Sequence, residues 1–504
     1  MTDFPLSSRR EKGAAQPRKE GGSRPVKPPL SPRRLAAPPS PLNGRGKWLL
    51  LALVFCLLAL ARPIDHDESQ YVAAAVLTAH GLLPYRDYAY LQTPLQPFLF
   101  AAVAWGSGVW TWPALRIVNA LLGGLAVACV HGAAREVGQP RMALVAAALF
   151  ACCDILLFSV GTARNDALPA ACLAGAVWLA VRTEAGRGTP LAALGLGLLL
   201  SSAAAAKISY ALPAAGYGCW ALWRHGAHRP LFVMLGAVPA VALVAWTAWL
   251  APAGFLFGVF TFPTMAPADF YADRPWKLSG AAKLIDAVKF LALGPALLAL
   301  FVVSRRPASG LLMVLILAGL IAAVLPTPTW RQYLLPVLPP LFVLLAWRWS
   351  RYPPGRATRI AAIAFAFAGL APTAAALIQG EEGMRTALSE MAAVRDAMDA
   401  AGVRGPVATL SPQFLPSTRR LPDPRFATGP FYFRSLLQPA GGETPLHLVS
   451  AATLAQAPLP DAILTGGEGK WTSGDDRLDA RLGAEAIRRG YRATRIDRWR
   501  LYVR

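Results

Sequence analysis

Charged residues are scarce in this chain. Only 15% of its 504 residues are Asp, Glu, Lys or Arg, whereas a soluble globular protein has about 25%. Apolar residues make up 55% of the sequence, and the mean hydropathy is +0.40. Acidic residues are the rarer charge, with 28 against 50 Lys and Arg, which gives a net charge of +22. The distribution of the basic residues indicates membrane topology, and we expect no nucleic-acid partner.

Cysteine is also scarce, and its positions limit its chemistry. All the cysteines lie in apolar runs, and none has the spacing with histidine that a metal site requires. The six are Cys56, Cys129, Cys152, Cys153, Cys172 and Cys219. We therefore expect them to be small packing residues.

Long apolar runs recur from residue 48 to residue 378 and are separated by short polar clusters. A membrane-spanning helix needs about 20 such residues, with roughly 17 as a minimum. The pattern predicts a polytopic α-helical membrane protein in the cell membrane. We expect three regions: a disordered basic tail at 1–47, a membrane domain at 48–378, and a polar domain at 379–504.

Basic residues predict which side of the membrane each loop faces, because cytoplasmic loops are enriched in Lys and Arg. The clusters are Arg135/Arg141, Arg182/Arg187, Arg224/Arg229, Arg305/Arg306 and Arg348/Arg351/Arg356/Arg359. The N-terminal tail has eleven Lys or Arg, so we expect it in the cytoplasm, followed by an uncleaved signal anchor.

Counting back from the last cluster, the run at 113–131 crosses from outside to inside. The first span crosses from inside to outside, so 94–109 is predicted to lie along the outer interface. Trp105 and Trp110 suit that position. This leaves about eleven spans, and it places the segment from 379 outside the cytoplasm, in the periplasm or its equivalent.

The C-terminal segment has the pattern of a small α/β domain. "MRTALSEMAAVRDAMDAAGV" predicts a helix with Leu388, Met391, Val394 and Met398 on one face. "PVATLS" and "DAILTGG" predict short strands, "RLDARLGAEAIRRG" a second helix, and "YRATRIDRWRLYVR" a closing hairpin or strand. Roughly 110 residues are enough to bury a core.

Three acids crowd the start of the first outer loop, in "RPIDHDESQYVAAA". Asp65, Asp67 and Glu68 repel one another unless they are protonated or paired with a cation. A solvated loop, or acids favoured by the dipole at a helix N-terminus, would also explain them.

Other ionisable residues fall in the same outer loops. Arg86 and Asp87, Arg164 and Asp166, Lys207, and Arg331 with Tyr333 all lie at predicted outer ends of apolar runs. Each alone could be an interfacial anchor. Together they predict a cluster of cations and carboxylates on one side of the bilayer, which marks a functional site.

"HDESQYVAAAVLTAHGLLPYRDYAYLQTPLQPFL" resembles the first outer loop of the GT-C glycosyltransferases. The branch that it resembles contains the protein mannosyltransferases and the aminoarabinose and galacturonic-acid transferases. The matching positions are Asp67, Glu68, Tyr71, Gly81, Pro84, Tyr85, Pro94 and Leu95. "TARNDALPA", "AAKISYALPAA" and "WRQYLLPVLPPL" are similar to later family segments, in the same order. One departure is that Gln92 and Thr93 stand where the family has a basic residue.

The resemblance implies transfer of a sugar from a polyprenyl-phosphate carrier to an acceptor outside the cytoplasm. It implies Asp67 as the general base, with Glu68 and Asp166 as further catalytic residues. The expected substrate-binding residues are Asp65, Tyr71, Tyr85, Arg86, Asp87, Arg164, Lys207, Arg331 and Tyr333. Whether Asp67 and Asp166 also hold a divalent metal is left open by the sequence.

The implied partners are the lipid-linked sugar donor, membrane lipids, and a glycan, lipid or protein acceptor. A single displacement would invert the anomeric carbon. The main alternative is a transporter or flippase of lipid-linked sugars, although such proteins tend to place charges near the bilayer midplane within repeats. A third alternative is a non-catalytic assembly factor.

The topology can be tested with reporter fusions at residues 40 and 400. We expect the first reporter to be active only in the cytoplasm and the second only outside it. If both reporters respond in the same compartment, the topology predicted from the Lys and Arg clusters is wrong.

Overall fold

The computed structural model describes residues 41–225, 228–305, 310–378, 383–468 and 476–504, and most of the predicted basic tail lies outside these ranges. Within these ranges, the chain from residue 41 to residue 378 is built mainly from helices. These are α1 (Pro41–Ala61), α2 (Glu68–Ala79), α3 (Leu95–Ser107), α4 (Thr111–Val137), α5 (Pro140–Ala151), α6 (Asp154–Val160), α7 (Ala167–Arg182), α8 (Pro190–Ala206), α9 (Ala211–His225), α10 (His228–Leu250), α11 (Pro252–Leu256), α12 (Phe262–Phe270), α13 (Gly280–Ala292), α14 (Ala296–Ser304), α15 (Gly310–Val324), α16 (Leu338–Arg351) and α17 (Arg356–Ile378).

Four helical stretches in the described ranges are long and apolar enough to cross a membrane: Leu95–Val137, Arg229–Leu250, Arg331–Arg351 and Arg356–Ile378. Two bent helix pairs, α5 with α6 at 63° and α13 with α14 at 102°, raise the number to six if each pair is one span. Three further apolar helices are shorter. The predicted polytopic helical architecture is confirmed, but the count of about eleven spans is not, because several apolar runs form short or broken helices.

Helix α3 covers the segment predicted to lie along the outer interface. It packs against α2, where Phe100 and Ala104 share one apolar core with Val72. The chain breaks at Gly108, with φ 53°, and then continues into α4. Trp105 is 82% exposed. The position of α3 relative to the bilayer stays a prediction.

Two glycines allow α8 and α10 to cross closely. A Cβ added at Gly197 would collide with the carbonyl of Val233, and one added at Gly236 would collide with the carbonyl of Leu194. The glycine-rich run "GLGLLL" at 195–200 therefore serves helix packing, since the two backbones touch where side chains would otherwise stand.

The C-terminal part forms helices and a sheet at the predicted places. Its α-helices are α18 (Met384–Ala400), α19 (Pro430–Phe433) and α20 (Arg477–Arg488); its strands are β1 (Val407–Ala408), β2 (Ala462–Thr465), β3 (Arg492–Ile496) and β4 (Trp499–Val503). The strand order is β1-β2-β4-β3, with β1 parallel to β2 and the other pairs antiparallel. On α18, Met391, Val394 and Met398 are fully buried as predicted, and Leu388 is partly buried.

The two faces of this sheet bury different cores. On one face, Ile463 and Tyr502 pack against Leu478 and Leu482 of α20. The core on the other face is shared with the membrane part: Met391 and Trp499 belong to the same cluster as Val72 of α2 and Trp112 of α4. The C-terminal part therefore buries one face by itself and needs residues of α2, α3 and the start of α4 to bury the other.

The helix crossing yields a stability prediction. Gly197→Leu should force α8 and α10 apart and lower the thermal unfolding temperature of the full chain in detergent, because overpacking costs about 1–3 kcal/mol. Gly218→Leu is the matched control, since a Cβ at Gly218 meets nothing within 4 Å. Equal unfolding temperatures for the two variants would contradict the close crossing.

Candidate active site

Asp67 lies at the N-terminus of α2 but does not cap it. Its φ and ψ are −65° and −22°, and its side chain accepts no capping hydrogen bond from the helix. Its own backbone amide donates to Asp65 Oδ1 at 2.9 Å. The Asp67 carboxylate is thus turned away from the helix and toward neighbouring side chains, so capping does not explain its presence.

One guanidinium joins the acids of the outer loops. Arg164 Nη1 lies 3.0 Å from Asp65 Oδ1 and also contacts Asp67 Oδ2, while its Nε lies 3.2 Å from Asp166 Oδ2. The Arg164 side chain is only 5% exposed. Arg164 is therefore the cation partner that the crowded carboxylates of Asp65 and Asp67 require.

The electrostatics of this cluster follow from burial and charge together. Burial alone would lower the pKa of Arg164, but Asp67, Asp65 and Asp166 raise it well above its ordinary value. Burial would likewise raise the pKa of Asp65, but Arg164, His66 and the Asp67 backbone amide bring it down to about 2. Asp65 is therefore a weak base.

Lys207 joins the same cluster from the break after α8. Its backbone is extended, with φ −152°, and its Nζ donates to Asp166 Oδ1. The ammonium lies 5.2 Å from the ring centroid of Tyr333, a cation–π distance. Asp166 is thus held by two cations, Lys207 on one oxygen and Arg164 on the other, and it is 1% exposed.

Glu68 has a different environment from Asp67. Its Oε1 accepts from Arg116 Nε at 2.7 Å, from Trp112 Nε1 at 3.1 Å and from the Ala163 amide at 2.7 Å. Arg116 also contacts Oε2, and neither side chain has exposed surface. Glu68 is therefore placed to fix the loop that carries Asp67, and its predicted catalytic role stays untested.

Arg116 extends this connection to the end of the first helix. Its Nη1 donates to the carbonyls of Ala59 at 2.9 Å and Arg62 at 2.7 Å, and its Nη2 donates to that of Pro63 at 3.1 Å. Carbonyls at a helix C-terminus lack partners within the helix, and Arg116 supplies them here. The sequence analysis did not identify Arg116, which lies in an apolar run. A charged residue in such a run indicates a buried partner, and this was the available signal.

The remaining predicted residues are two buried tyrosines, Tyr71 and Tyr85, and one partly exposed ion pair, Arg86 with Asp87. Tyr71 is buried, and burial, with the nearby Asp67 carboxylate as a smaller cause, raises its pKa well above the ordinary value. Tyr85 is buried under Phe255, with its ring edge-on at 5.2 Å, and its hydroxyl donates to the Gln92 carbonyl. Arg86 and Asp87 form a partly exposed pair with each other at 2.7 Å. None of the described ion pairs joins them to Arg164.

A second ion pair lies beside the cluster. Arg331 Nη1 is 3.0 Å from Oδ2 of Asp154, a buried acid that lies inside an apolar run of the sequence. The guanidinium of Arg331 lies 3.6 Å from the Phe158 ring centroid, and those of Arg62 and Arg164 lie 5.1 Å and 5.0 Å from it. Sequence reasoning identified Arg331 and Arg164 but missed Phe158 and Arg62.

The C-terminal part supplies one wall of the site. His66 Nε2 is 3.2 Å from Asp67 Oδ1, and its ring stacks on Phe431 of α19 at a centroid distance of 5.4 Å. Arg434 lies 4.1 Å from the Phe270 ring centroid, and Asp269 Oδ2 accepts from Ser435 at 3.0 Å. Neither His66 nor α19 was predicted as part of the site.

The ligand atoms of Asp65, His66 and Asp67 lie within 4.8 Å of one another, a spacing that a metal ion could bridge. However, Arg164 already contacts the oxygens of both carboxylates. A divalent cation would face that guanidinium at close range, and like charges repel strongly in a partly buried site. Asp166 is bonded to Arg164 and Lys207 instead of joining the group. The residues present do not fit the divalent metal that the sequence left open.

Comparisons with known proteins identify the fold. No family model and no curated protein sequence matches the chain. The structure is similar to the crystal structures of ArnT from Cupriavidus metallidurans in the apo state and bound to undecaprenyl phosphate, with TM-scores of 0.60 and 0.62. Each match covers 92% of this chain and 98% of that chain at 15% sequence identity. The chain has the ArnT fold.

The similarity to ArnT extends over almost the whole chain. The resemblance to the GT-C glycosyltransferases, drawn from the first outer loop, is therefore confirmed at the level of fold. A weaker similarity, with a TM-score of 0.46 and 13% identity, covers 89% of this chain and 73% of the oligosaccharyltransferase AglB from Archaeoglobus fulgidus.

The Glu68–Arg116 pair yields a stability prediction. Arg116→Met should destabilise the protein by about 3–5 kcal/mol, because it leaves Glu68 buried without its cation. The measurement is thermal unfolding of the purified full chain in detergent. Combining it with Glu68→Gln should recover part of the loss, since both charges are then gone.

The control for this pair is Asp396→Asn, which removes the exposed ion pair with Arg395 on α18 and should leave unfolding unchanged. An Arg116→Met variant that unfolds like the wild type would show that the buried pair is not a structural requirement.

Proposed function

We propose that this protein transfers a sugar from a polyprenyl-phosphate carrier to an acceptor outside the cytoplasm. The observation that carries the proposal is the accessible carboxylate of Asp67, held by Arg164 within one cluster that also contains Lys207. The ArnT fold supports it, because one of the two similar ArnT structures is bound to undecaprenyl phosphate.

Asp67 suits the role of general base among the acids of the cluster. Asp166 and Glu68 have 1% and 0% side-chain exposure, so an acceptor cannot reach them, whereas Asp67 is 16% exposed. Asp65 is equally exposed, but its pKa near 2 makes it a poor proton acceptor. An acceptor hydroxyl is a weak nucleophile, and a positioned carboxylate takes its proton as it attacks the anomeric carbon.

The cations of the cluster suit the leaving group. As the glycosidic bond breaks, the polyprenyl phosphate gains negative charge, which preorganised cations stabilise. Lys207 and Arg331 are our candidates, each held by one buried acid, Asp166 and Asp154 respectively. Arg86 remains a third candidate at the surface. The isoprenoid tail would lie among the apolar helices, with the sugar at the cluster.

The neighbouring residues would orient the reactants. Tyr71 and Tyr333 lie beside the carboxylate cluster, while Tyr85 and Asp87 shape the adjoining loop. Asp65, Arg164 and Asp166 would hold Asp67 in position. Direct attack by the acceptor is a single displacement, which inverts the configuration at the anomeric carbon. The acceptor is a hydroxyl-bearing lipid, polysaccharide or protein.

The test of Asp67 is transfer by reconstituted protein from an undecaprenyl-phosphate sugar. The donor and acceptor are first identified by mass spectrometry of envelope glycolipids and glycans with and without this protein. Asp67→Asn should reduce transfer at least about a hundredfold, because a general base contributes about 10²–10⁴ in rate. Binding of the donor should persist in this variant, and Asp396→Asn should transfer normally.

Lys207→Ala should weaken donor binding as well as transfer, since it removes a charge proposed to face the phosphate. Near-normal transfer by Asp67→Asn would rule out Asp67 as the base. Movement of the lipid-linked sugar across the bilayer without any transfer would instead support the transporter alternative.

A further inference from the structure

The C-terminal part contains a cavity that the proposed reaction does not use. Its volume is about 510 Å³, within the range of about 300–1,000 Å³ that small-molecule sites occupy. It lies between the turn at 438–444 and the segment at 447–458, with Arg425 at one side. The side chains that line it determine which class of ligand it can bind.

The charged residues of the lining are already engaged within the protein. Arg425 donates to both oxygens of Asp423, with Nε 2.9 Å from Oδ1, and its Nη1 donates to the Pro458 carbonyl. Glu443 accepts from the Tyr432 hydroxyl at 2.9 Å and from the Thr453 hydroxyl. Arg425 is thus paired with Asp423, and both oxygens of Glu443 already accept hydrogen bonds from uncharged groups of the protein. Neither charged side chain is therefore free to bind an ionic ligand.

Four further polar side chains of the lining have no hydrogen-bonding partner among the described residues. They are Gln438, Thr444 and Gln456, which are exposed, and His447, which is half-buried. A carboxamide both donates and accepts, as does a hydroxyl group. Two carboxamides, a hydroxyl and an imidazole thus match a ligand with many hydroxyl groups and no charge.

The cavity and the carboxylate cluster lie on two sides of the short helix α19. Tyr432 of this helix bonds Glu443 at the cavity, and the adjacent Phe431 stacks on His66 beside Asp67. The inner wall is firm, because Leu448 packs in one core with Leu91 and Tyr432. Helix α19 therefore contacts both the cavity and the carboxylate cluster, and it separates the one from the other.

We propose that this cavity is a binding site for an uncharged saccharide, distinct from the site where the sugar would be transferred. The neutral hydrogen-bonding groups, the charged side chains already engaged within the protein, and the volume carry this inference. It does not depend on the proposed transfer, since binding needs no donor and no reaction.

The test uses the full chain in detergent and an array of immobilised neutral oligosaccharides, with matched oligosaccharides that contain uronic acids. We expect the wild type to bind at least one neutral oligosaccharide. The double variant Gln438→Ala/Gln456→Ala should bind it at least about tenfold more weakly, because two hydrogen-bonding side chains are lost. Thr444→Trp, which fills the cavity, should have the same effect.

The control for the cavity variants is Thr386→Trp, which places an indole on the exposed side of α18 and should bind like the wild type. The proposal is overturned if the folded wild type binds no neutral saccharide, if it binds only uronic acids, or if the cavity variants bind as tightly as Thr386→Trp.

Discussion

The buried ion pair between Glu68 and Arg116 is the constraint on which the site depends. Both side chains are fully shielded from solvent, and a single carboxylate receives bonds from Arg116, Trp112 and the Ala163 amide. Removing either charge would leave the other buried without a partner. A lone buried charge destabilises a protein far more than an intact buried ion pair does. The pair ties the end of α1, the start of α2 and the body of α4 to the loop that carries Arg164.

That connection explains how acids can be crowded next to an apolar helix. Because the Ala163 amide is fixed on Glu68, the neighbouring Arg164 stands where it meets Asp65, Asp67 and Asp166 at once. Lys207 adds a second cation on Asp166. Mutual repulsion among the acids is thereby replaced by attraction to shared cations, and the Asp67 side chain keeps 16% of its surface exposed.

The C-terminal part is joined to the same framework. Phe414, from the turn at 412–418, lies edge-on between Trp112 and Trp499, at centroid distances of 5.2 Å and 5.1 Å. Trp112 in turn donates to Glu68. A continuous path of packed aromatic rings therefore runs from the sheet to the ion pair, while α19 covers the other side of the cluster through Phe431. The site is composed of segments from both parts of the chain.

The sequence by itself determined the local features of this protein. Hydropathy predicted the helical membrane architecture, and local sequence patterns predicted α18, α20, β1, β2 and a closing hairpin or strand where β3 and β4 form, because these signals depend on residues close together in the chain. The residue types at the outer loops were sufficient to nominate Asp67, Arg164, Asp166, Lys207 and Arg331.

Only the tertiary structure decided which of these residues meet. Arg164 pairs with Asp65 and Arg331 with Asp154, 99 and 177 residues away, and no local pattern encodes such a pairing. Arg116 and Asp154 lay inside apolar runs, where a charge can be recognised but its partner cannot. The number of long helices and the sharing of a core between the two parts likewise depend on how broken apolar runs pack together, which hydropathy along the chain does not describe.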